Sequence, residues 1–151
     1  MRAIQVTQSD EQIIRCFPVM AELRTHLVAD EFVARVRRQQ KQGYQLAFLE
    51  DRGAVQSVAG FRIGEFLCWG KILYVDDLVT TASARSQSHG QHLFGWLLER
   101  AREQGCAEFH LDSGVEKFGA HRFYLRQRMN ITAHHFALKL DGPRSPKTAA
   151  T

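Results

Sequence analysis

The residues in this chain with most chemistry in them lie between Ile72 and Leu98. Asp76 and Asp77 sit side by side among the β-formers Tyr74, Val75, Leu78 and Val79. After a polar stretch comes Arg85-Ser86-Gln87-Ser88-His89-Gly90, and then Leu93, Leu97 and Ala101 at helical spacing, flanked by Phe94 and Leu98. Small residues ahead of a helix let the backbone approach a ligand, and the helix's first turn has N–H groups without internal partners. Those donors and the positive end of the helix dipole favour an anion such as a phosphate, and Arg85 adds a charged fork.

That site needs a scaffold, and the rest of the chain reads as one. Arg2 to Val6 alternates as a first strand. Ser9 caps a helix, with Gln12 three residues on. The stripe Ile13, Phe17, Met20, Leu27 continues it, and Pro18 predicts a kink or break near Ile14 to Phe17. A second helix is expected from Asp30 to about Lys41, with Phe32, Val33 and Val36 inward and Gly43 as its stop. Strands follow at Tyr44 to Leu49 and Ala54 to Phe66, where Gly60 and Gly64 mark a bulge or twist. After the strand bearing the two aspartates comes a helix from Gly90 to Glu103, then a strand from Ala107 to Leu111. A short helix from Lys117 to Arg126 and a last strand from Ile131 to Leu140 complete a domain spanning 1–141. Residues 142–151 read as a disordered tail. The order β-α-α-β-β-β-α-β-α-β implies a single α/β domain with a mixed sheet and helices on both faces.

Composition narrows the partners. A chain of 151 residues, 44% hydrophobic, suits one domain with a sizeable core. Net charge of +4 fits an acidic small ligand such as a nucleotide-bearing cofactor and does not require nucleic acid. Cys16, Cys68 and Cys106 lack metal-like spacing and read as free thiols of a reducing compartment, the cytoplasm by default. Nor is there an apolar run for a signal peptide or a membrane span.

Two segments carry a family resemblance. Arg85-Ser86-Gln87-Ser88-His89-Gly90 resembles the Arg/Gln-x-x-Gly-x-Gly/Ala segment of the GCN5-related N-acetyltransferases (the GNAT family), with Ser88 where that family usually has glycine. Ala120-His121-Arg122-Phe123-Tyr124-Leu125 resembles the family's Ala-x-x-Phe-Tyr segment, and more closely still that of members with Ala-His-Arg-Phe-Tyr, which include aminoalkylphosphonate acetyltransferases. Arg128-Met129 replace the usual Gly-Phe that follows, and Lys117 stands where many relatives have asparagine. The order of elements is also that family's, so the resemblance covers nearly the whole chain.

The resemblance implies a fold with a splayed strand pair and a cofactor, acetyl-CoA or another short acyl-CoA. Leu78, Val79 and Thr80 would bond the pantetheine arm as an added strand, and the amides of Arg85, Ser86, Gln87, Ser88, His89, Gly90 and Gln91 would hold the pyrophosphate, with Lys117 nearby. A bulge near Asp77 would part that strand from Ala107 to Leu111. It further implies direct attack of a primary amine on the thioester. Tyr124 then stands as acid toward the CoA sulfur, and Asp76 or Asp77 as base, directly or through water. Polyamine-acetylating relatives carry an acidic pair at this place, which favours Asp76 and suggests a cationic acceptor with Glu22 as an extra anchor. His121 and His135 are further candidates for the acceptor pocket, and the oligomeric state stays open, with a homodimer among the alternatives because exposed strand edges of this family often pair.

Plainer readings stand beside these. Tyr124 fits a half-buried core residue, and one of the aspartates fits a strand-end group bonding turn amides. His134-His135 has no third ligand at sensible spacing, so no metal is expected. Arg35, Arg37, Arg38 and Lys41 read as the solvated face of the second helix. None of the cysteines has a base in sequence context, so no covalent intermediate is expected. The competing functions are a non-catalytic acyl-CoA-binding or regulatory domain, favoured by Ser88 and Arg128-Met129, and nucleic-acid binding through the basic helix and tail.

Overall fold

Alternating apolar side chains along the strands divide the core into two layers. The computed structural model describes residues 1–142. Along it run β1 (Arg2–Val6), α1 (Asp10–Leu23), α2 (Ala29–Gln40), β2 (Gln45–Asp51), β3 (Ala54–Phe66) and β4 (Gly70–Thr80). A 3-10 helix (Ala82–Gln87), α3 (His89–Glu103), β5 (Glu108–Leu111) and α4 (Phe118–Arg126) follow. The sheet has the order β1-β2-β3-β4-β5, antiparallel throughout except for the parallel pair β4–β5.

Leu46, Phe48, Val58 and Val79 face one layer, where Ile13, Cys16 and Met20 of α1 and Phe32 and Val36 of α2 cover them. Ala47, Ala59, Phe61, Leu73 and Val75 face the other, under Leu93, Leu97 and Ala101 of α3. Each fully buried Leu or Phe contributes about 1.5–3 kcal/mol relative to exposure. This is the expected single α/β domain with a mixed sheet and helices on both faces.

Three expectations need correction or limit. Pro18 lies inside α1, yet the helix runs unbroken from Asp10 to Leu23. The bond Pro18 cannot donate would have gone to the carbonyl of Ile14, whose residue is 39% exposed, so water can replace it. The last strand, Ile131 to Leu140, does not form: the segment is exposed throughout and joins no ladder. Its alternation specifies which face a strand would bury and not which strand it would pair with, and β5 beside it is only 4 residues long. The expected tail lies outside the described residues from 143 onward.

The feature that positions the site is one extra residue in β4. Gly60 of β3 pairs with Asp77 and Phe61 pairs with Val75, which leaves Asp76 unopposed as a β-bulge. At the same place β4 leaves β5. The parallel ladder runs from Ile72↔Glu108 to Val75↔Leu111 and stops, so Asp76 to Thr80 have no β5 partner. The expected parting of the strand pair is present. Gly60 is required opposite the bulge because a Cβ there would lie 2.1 Å from the Tyr44 hydroxyl and 2.5 Å from Asp77 Oδ2. Gly64, by contrast, sits in an unshifted stretch of the ladder.

Gly60→Ala therefore forces Tyr44 and Asp77 to move. It should lower stability by about 1–3 kcal/mol, an overpacking cost, read as a fall of several degrees in melting temperature. An unchanged melting curve would contradict the close packing around Gly60.

Candidate active site

Asp77 is tied down on both oxygens. The Tyr44 hydroxyl donates to Oδ2 at 2.9 Å and Arg24 Nε donates to Oδ1 at 2.8 Å. Arg24 also donates through Nη2 to the carbonyl of Asp76, at 2.9 Å. Tyr44 is buried, and burial followed by the neighbouring Asp77 charge holds its phenol well above the usual tyrosine range. It therefore stays a donor.

Asp76 is held differently. Arg62 Nε donates to Oδ2 at 2.8 Å, while Oδ1 is buried with no hydrogen-bond partner among the described residues. Arg62 is itself fixed by a 2.9 Å bond from Nη2 to Gln39 Oε1 and by lying over the Tyr44 ring. Burial raises the proton affinity of Asp76 above that of an ordinary carboxylate, Arg62 lowers it, and Asp77 raises it again. Of the two carboxylates, this one has an oxygen to spare and a raised pKa.

Two cavities meet at Asp76. The larger, about 600 Å³, lies between α1, α2 and the sheet and is lined by Arg24, Arg35, Tyr44, Arg62, Asp76 and Asp77 among others. The smaller, about 130 Å³, occupies the gap where β4 and β5 part. Leu78, Leu111, Lys117 and Tyr124 line it, and Asp76 and Arg24 border both. Burial also raises the Tyr124 phenol above its ordinary pKa, so it is protonated across the neutral range.

Beyond Thr80 the chain enters the 3-10 helix. Arg85 is exposed there, 3.5 Å from the Thr80 carbonyl, and the Gln87 carbonyl accepts a 2.8 Å bond from Arg2. Ser88 caps α3 with φ +64°, in the left-handed region that usually takes glycine, and its side chain makes no capping bond. That conformation costs a non-glycine residue about 1–2 kcal/mol. The first helical bond of α3 runs from the His92 N–H to the Ser88 carbonyl, so the amides of His89, Gly90 and Gln91 precede the ladder. Gly90 keeps this turn against β4, since a Cβ there would meet Thr80 Oγ1 at 3.0 Å. Val79 and Thr80 are bound to β3 through Ser57, whose hydroxyl donates to the Val79 carbonyl at 3.0 Å and lies 3.1 Å from Thr80 Oγ1.

Several residues sit elsewhere than the sequence implied. His89 offers only its main-chain amide: the ring is buried, with Nε2 3.0 Å from Asp51 Oδ2. The His89 bond, then the N-terminus and Arg2, hold Asp51 below the usual carboxylate range, which fastens the start of α3 to β2. Glu22 does not line the larger cavity: it accepts the Ala82 N–H at 2.9 Å and, bonded also by Thr81, anchors the turn after β4. His121 donates through Nε2 to the Gly114 carbonyl, 2.7 Å away, and lines neither cavity. His135, exposed, lies 3.5 Å from Asp112 and lines neither. Arg35, read as solvated, lines the larger cavity instead.

Arg24, Tyr44 and Arg62 carried no sequence signal of their own; only Gly60, a glycine inside a strand, marked the place where a side chain and a carboxylate crowd the backbone. The Arg128-Met129 substitution leaves the end of α4 closed. Arg128 takes φ +66° and the Met129 N–H bonds the Tyr124 carbonyl at 3.1 Å. The burial of Cys16 pushes its thiol up to about 12, which removes it as a nucleophile. Among the described residues no group of three or more His, Cys, Asp or Glu could hold a metal ion, and no helix is long and apolar enough to cross a membrane.

Comparison with known proteins agrees with this architecture. A model of the Acetyltransferase (GNAT) family matches residues 10–129. The chain is 32% identical over 132 residues to the uncharacterized N-acetyltransferase YhdJ of Bacillus subtilis, covering 87% of this chain and 92% of that one. It is 36% identical over 53 residues to the aminoalkylphosphonate N-acetyltransferase of Salmonella typhimurium, 35% of this chain and 34% of the relative. Among solved structures, AAC(6')-Iy in complex with a CoA-linked bisubstrate analogue superposes with a TM-score of 0.80 at 12% identity, over 93% of this chain and 98% of that one. With a parted β4–β5 pair, an uncapped helix mouth beside it and a family match over most of its length, this chain belongs to the acetyltransferase (GNAT) family.

Proposed function

We propose that this enzyme transfers an acetyl group from acetyl-CoA to a small primary amine by direct attack. The observation that carries the proposal is the meeting of two cavities at a carboxylate with one unbonded oxygen. The amides of Arg85 to Gln91 take the pyrophosphate, and the open edge of β4 from Asp76 to Thr80 takes the pantetheine arm. The thioester then lies in the smaller cavity, between Leu78 and Tyr124. The amine enters from the larger one. Asp76 Oδ1 accepts its proton, the nitrogen attacks the thioester carbon, the C–S bond breaks, and Tyr124 protonates the departing thiolate. A main-chain N–H on the parted strand serves the oxyanion. Asp77, bound on both oxygens, positions the bulge and takes no proton.

This division of labour separates the two aspartates experimentally. Asp76→Asn keeps an acceptor for Arg62 and should lower kcat by about 10²–10⁴-fold without loss of melting temperature. Asp77→Asn should lower melting temperature first, because Arg24 and Tyr44 lose their charged partner. The rate of the wild-type chain should rise with pH through an acidic limb set by Asp76, above the ordinary carboxylate range because its pKa is raised. That limb should vanish in Asp76→Asn. If Asp77→Asn abolished turnover in a fully folded protein and Asp76→Asn did not, the assignment would be reversed.

Tyr124→Phe should lower kcat at least about tenfold while acetyl-CoA still raises the melting temperature. Full turnover in that variant would remove the phenol from the reaction. A thermal shift with acetyl-CoA but no thiol release with any amine would support the non-catalytic alternative.

Two copies of this chain complete each other in this reading, in the cytoplasm. The segment from Ile131 to Leu140 leaves Phe136, Leu138 and Leu140 on one face at 91%, 85% and 73% exposure, while β5 is the edge of the sheet. Reciprocal addition of that segment to the partner's β5 satisfies both in one closed, self-complementary contact. Sedimentation equilibrium should give twice the chain mass, and a monomer at micromolar concentration would overturn the pairing.

A further inference from the structure

A turn that holds an anion must aim its amides at the ligand and its carbonyls elsewhere, since a carbonyl oxygen facing a phosphate repels it. In the turn that opens α3 the carbonyls are claimed from the protein side. The Ala84 carbonyl lies 3.3 Å from Nδ1 of the buried His89 ring. The Gln87 carbonyl accepts from Arg2 Nη2 at 2.8 Å, and the Ser88 carbonyl accepts the His92 N–H at 3.0 Å. Arg2 reaches further: its Nη1 is 3.0 Å from His92 Nδ1, which itself lies 2.7 Å from the Ser88 carbonyl. One guanidinium thus meets the peptide before Ser88 and the histidine that sits on the carbonyl after it. The sheet aims this side chain. Arg2 is the register partner of Asp51 across the β1–β2 ladder, and its Nε lies 3.5 Å from Asp51 Oδ2. The same carboxylate oxygen is 3.0 Å from His89 Nε2, so Asp51 fastens both groups that reach into the turn.

Resting on the reading that this turn takes the pyrophosphate of acetyl-CoA, we propose that Arg2 is a positioning residue for the cofactor. It lines neither cavity and touches neither acetyl-CoA nor the amine. Within one trans peptide the C=O and the N–H point opposite ways. With the Gln87 carbonyl drawn to Arg2, the Ser88 N–H is aimed away from β1, and Ser88 is among the residues whose amides take the pyrophosphate. The turn needs this hold because Ser88, at φ +64°, is in a left-handed conformation that residues with a side chain avoid, and its hydroxyl makes no capping bond. Without Arg2 the peptide relaxes, and cofactor binding must then reorder it. A planar fork suits the task, because it meets a carbonyl, a carboxylate and a ring nitrogen at once, where an ammonium is a single point charge. Arg2 is also partly exposed and belongs to neither core layer, so its loss leaves the packing of the sheet intact.

The test compares Arg2→Gln with the wild-type chain on two donors: acetyl-CoA, and S-acetylpantetheine, which keeps the thioester arm and lacks the pyrophosphate. Titration calorimetry should show acetyl-CoA binding weakened at least about fivefold in Arg2→Gln, with binding of S-acetylpantetheine unchanged. Inorganic pyrophosphate, a competitor of acetyl-CoA in the wild type, should lose affinity by a similar factor. In turnover with an amine that supports thiol release, the change should fall on KM for acetyl-CoA and leave kcat in place. Arg2→Lys should recover part of the affinity. Equal weakening of both donors, or unchanged acetyl-CoA affinity in a folded Arg2→Gln, would overturn the positioning role while leaving the cofactor site intact. Failure of inorganic pyrophosphate to compete with acetyl-CoA in the wild type would instead remove the pyrophosphate from this turn, and the proposal would fall with that reading.

Discussion

One surplus residue in β4 is the constraint on which the site depends. Where Gly60 and Phe61 of β3 advance by one position, β4 advances by two, from Asp77 to Val75. In an uninterrupted strand, neighbouring side chains face opposite sides of the sheet. The bulge cancels that rule locally, and Asp76 and Asp77 both line the same cavity. It also bends β4 away from β5, since the parallel ladder ends at the residue before the bulge. One backbone irregularity thus brings two carboxylates together and opens the gap into which Tyr124 projects. The glycine opposite is part of the same device, because any side chain at position 60 would occupy the space of the Tyr44–Asp77 hydrogen bond.

Local pattern was legible in the sequence, and long-range pairing was not. The two-layer core follows from alternation in β2 and β3, where Leu46 and Phe48 face one way and Ala47 the other. Caps were equally plain: Ser9 and Gln12 form the reciprocal pair that their spacing announces. Pro18 shows the limit of a local rule, because its cost depends on whether the carbonyl it strands can reach water. The segment from Ile131 to Leu140 shows another limit, since a strand needs a partner that its own residues do not name.

In the site the same division holds. Asp76, Asp77 and Tyr124 could be picked out because a family motif or an unusual pair marked them. Their partners could not. Tyr44 lies 33 residues from Asp77, Arg24 lies 53 away, and Arg62 lies 14 from Asp76. Nothing in composition or spacing joins these positions; the register of β3 on β4 and the packing of α1 over the sheet do. His89 is the converse case. Nothing around it in sequence names a partner for its ring, but Asp51, 38 residues earlier, gives it a buried one.

The geometry answers why Asp76, the base of the proposed reaction, should have an arginine on it at all. A buried carboxylate without a countercharge would hold its proton so firmly that it stayed neutral at physiological pH and could accept nothing. Arg62 opposes that tendency, yet it engages only Oδ2, and Oδ1 meets no donor among the described residues. Burial and the neighbouring Asp77 push the other way, and the net shift is upward. An upward shift narrows the gap between the carboxylate and an amine of pKa about 10, which makes proton transfer during attack less uphill. Asp77 sets the opposite example on the next residue: Arg24 and Tyr44 engage both of its oxygens. Two chemically identical side chains thereby meet different numbers of donors, and that difference is what separates their tasks in the proposed reaction.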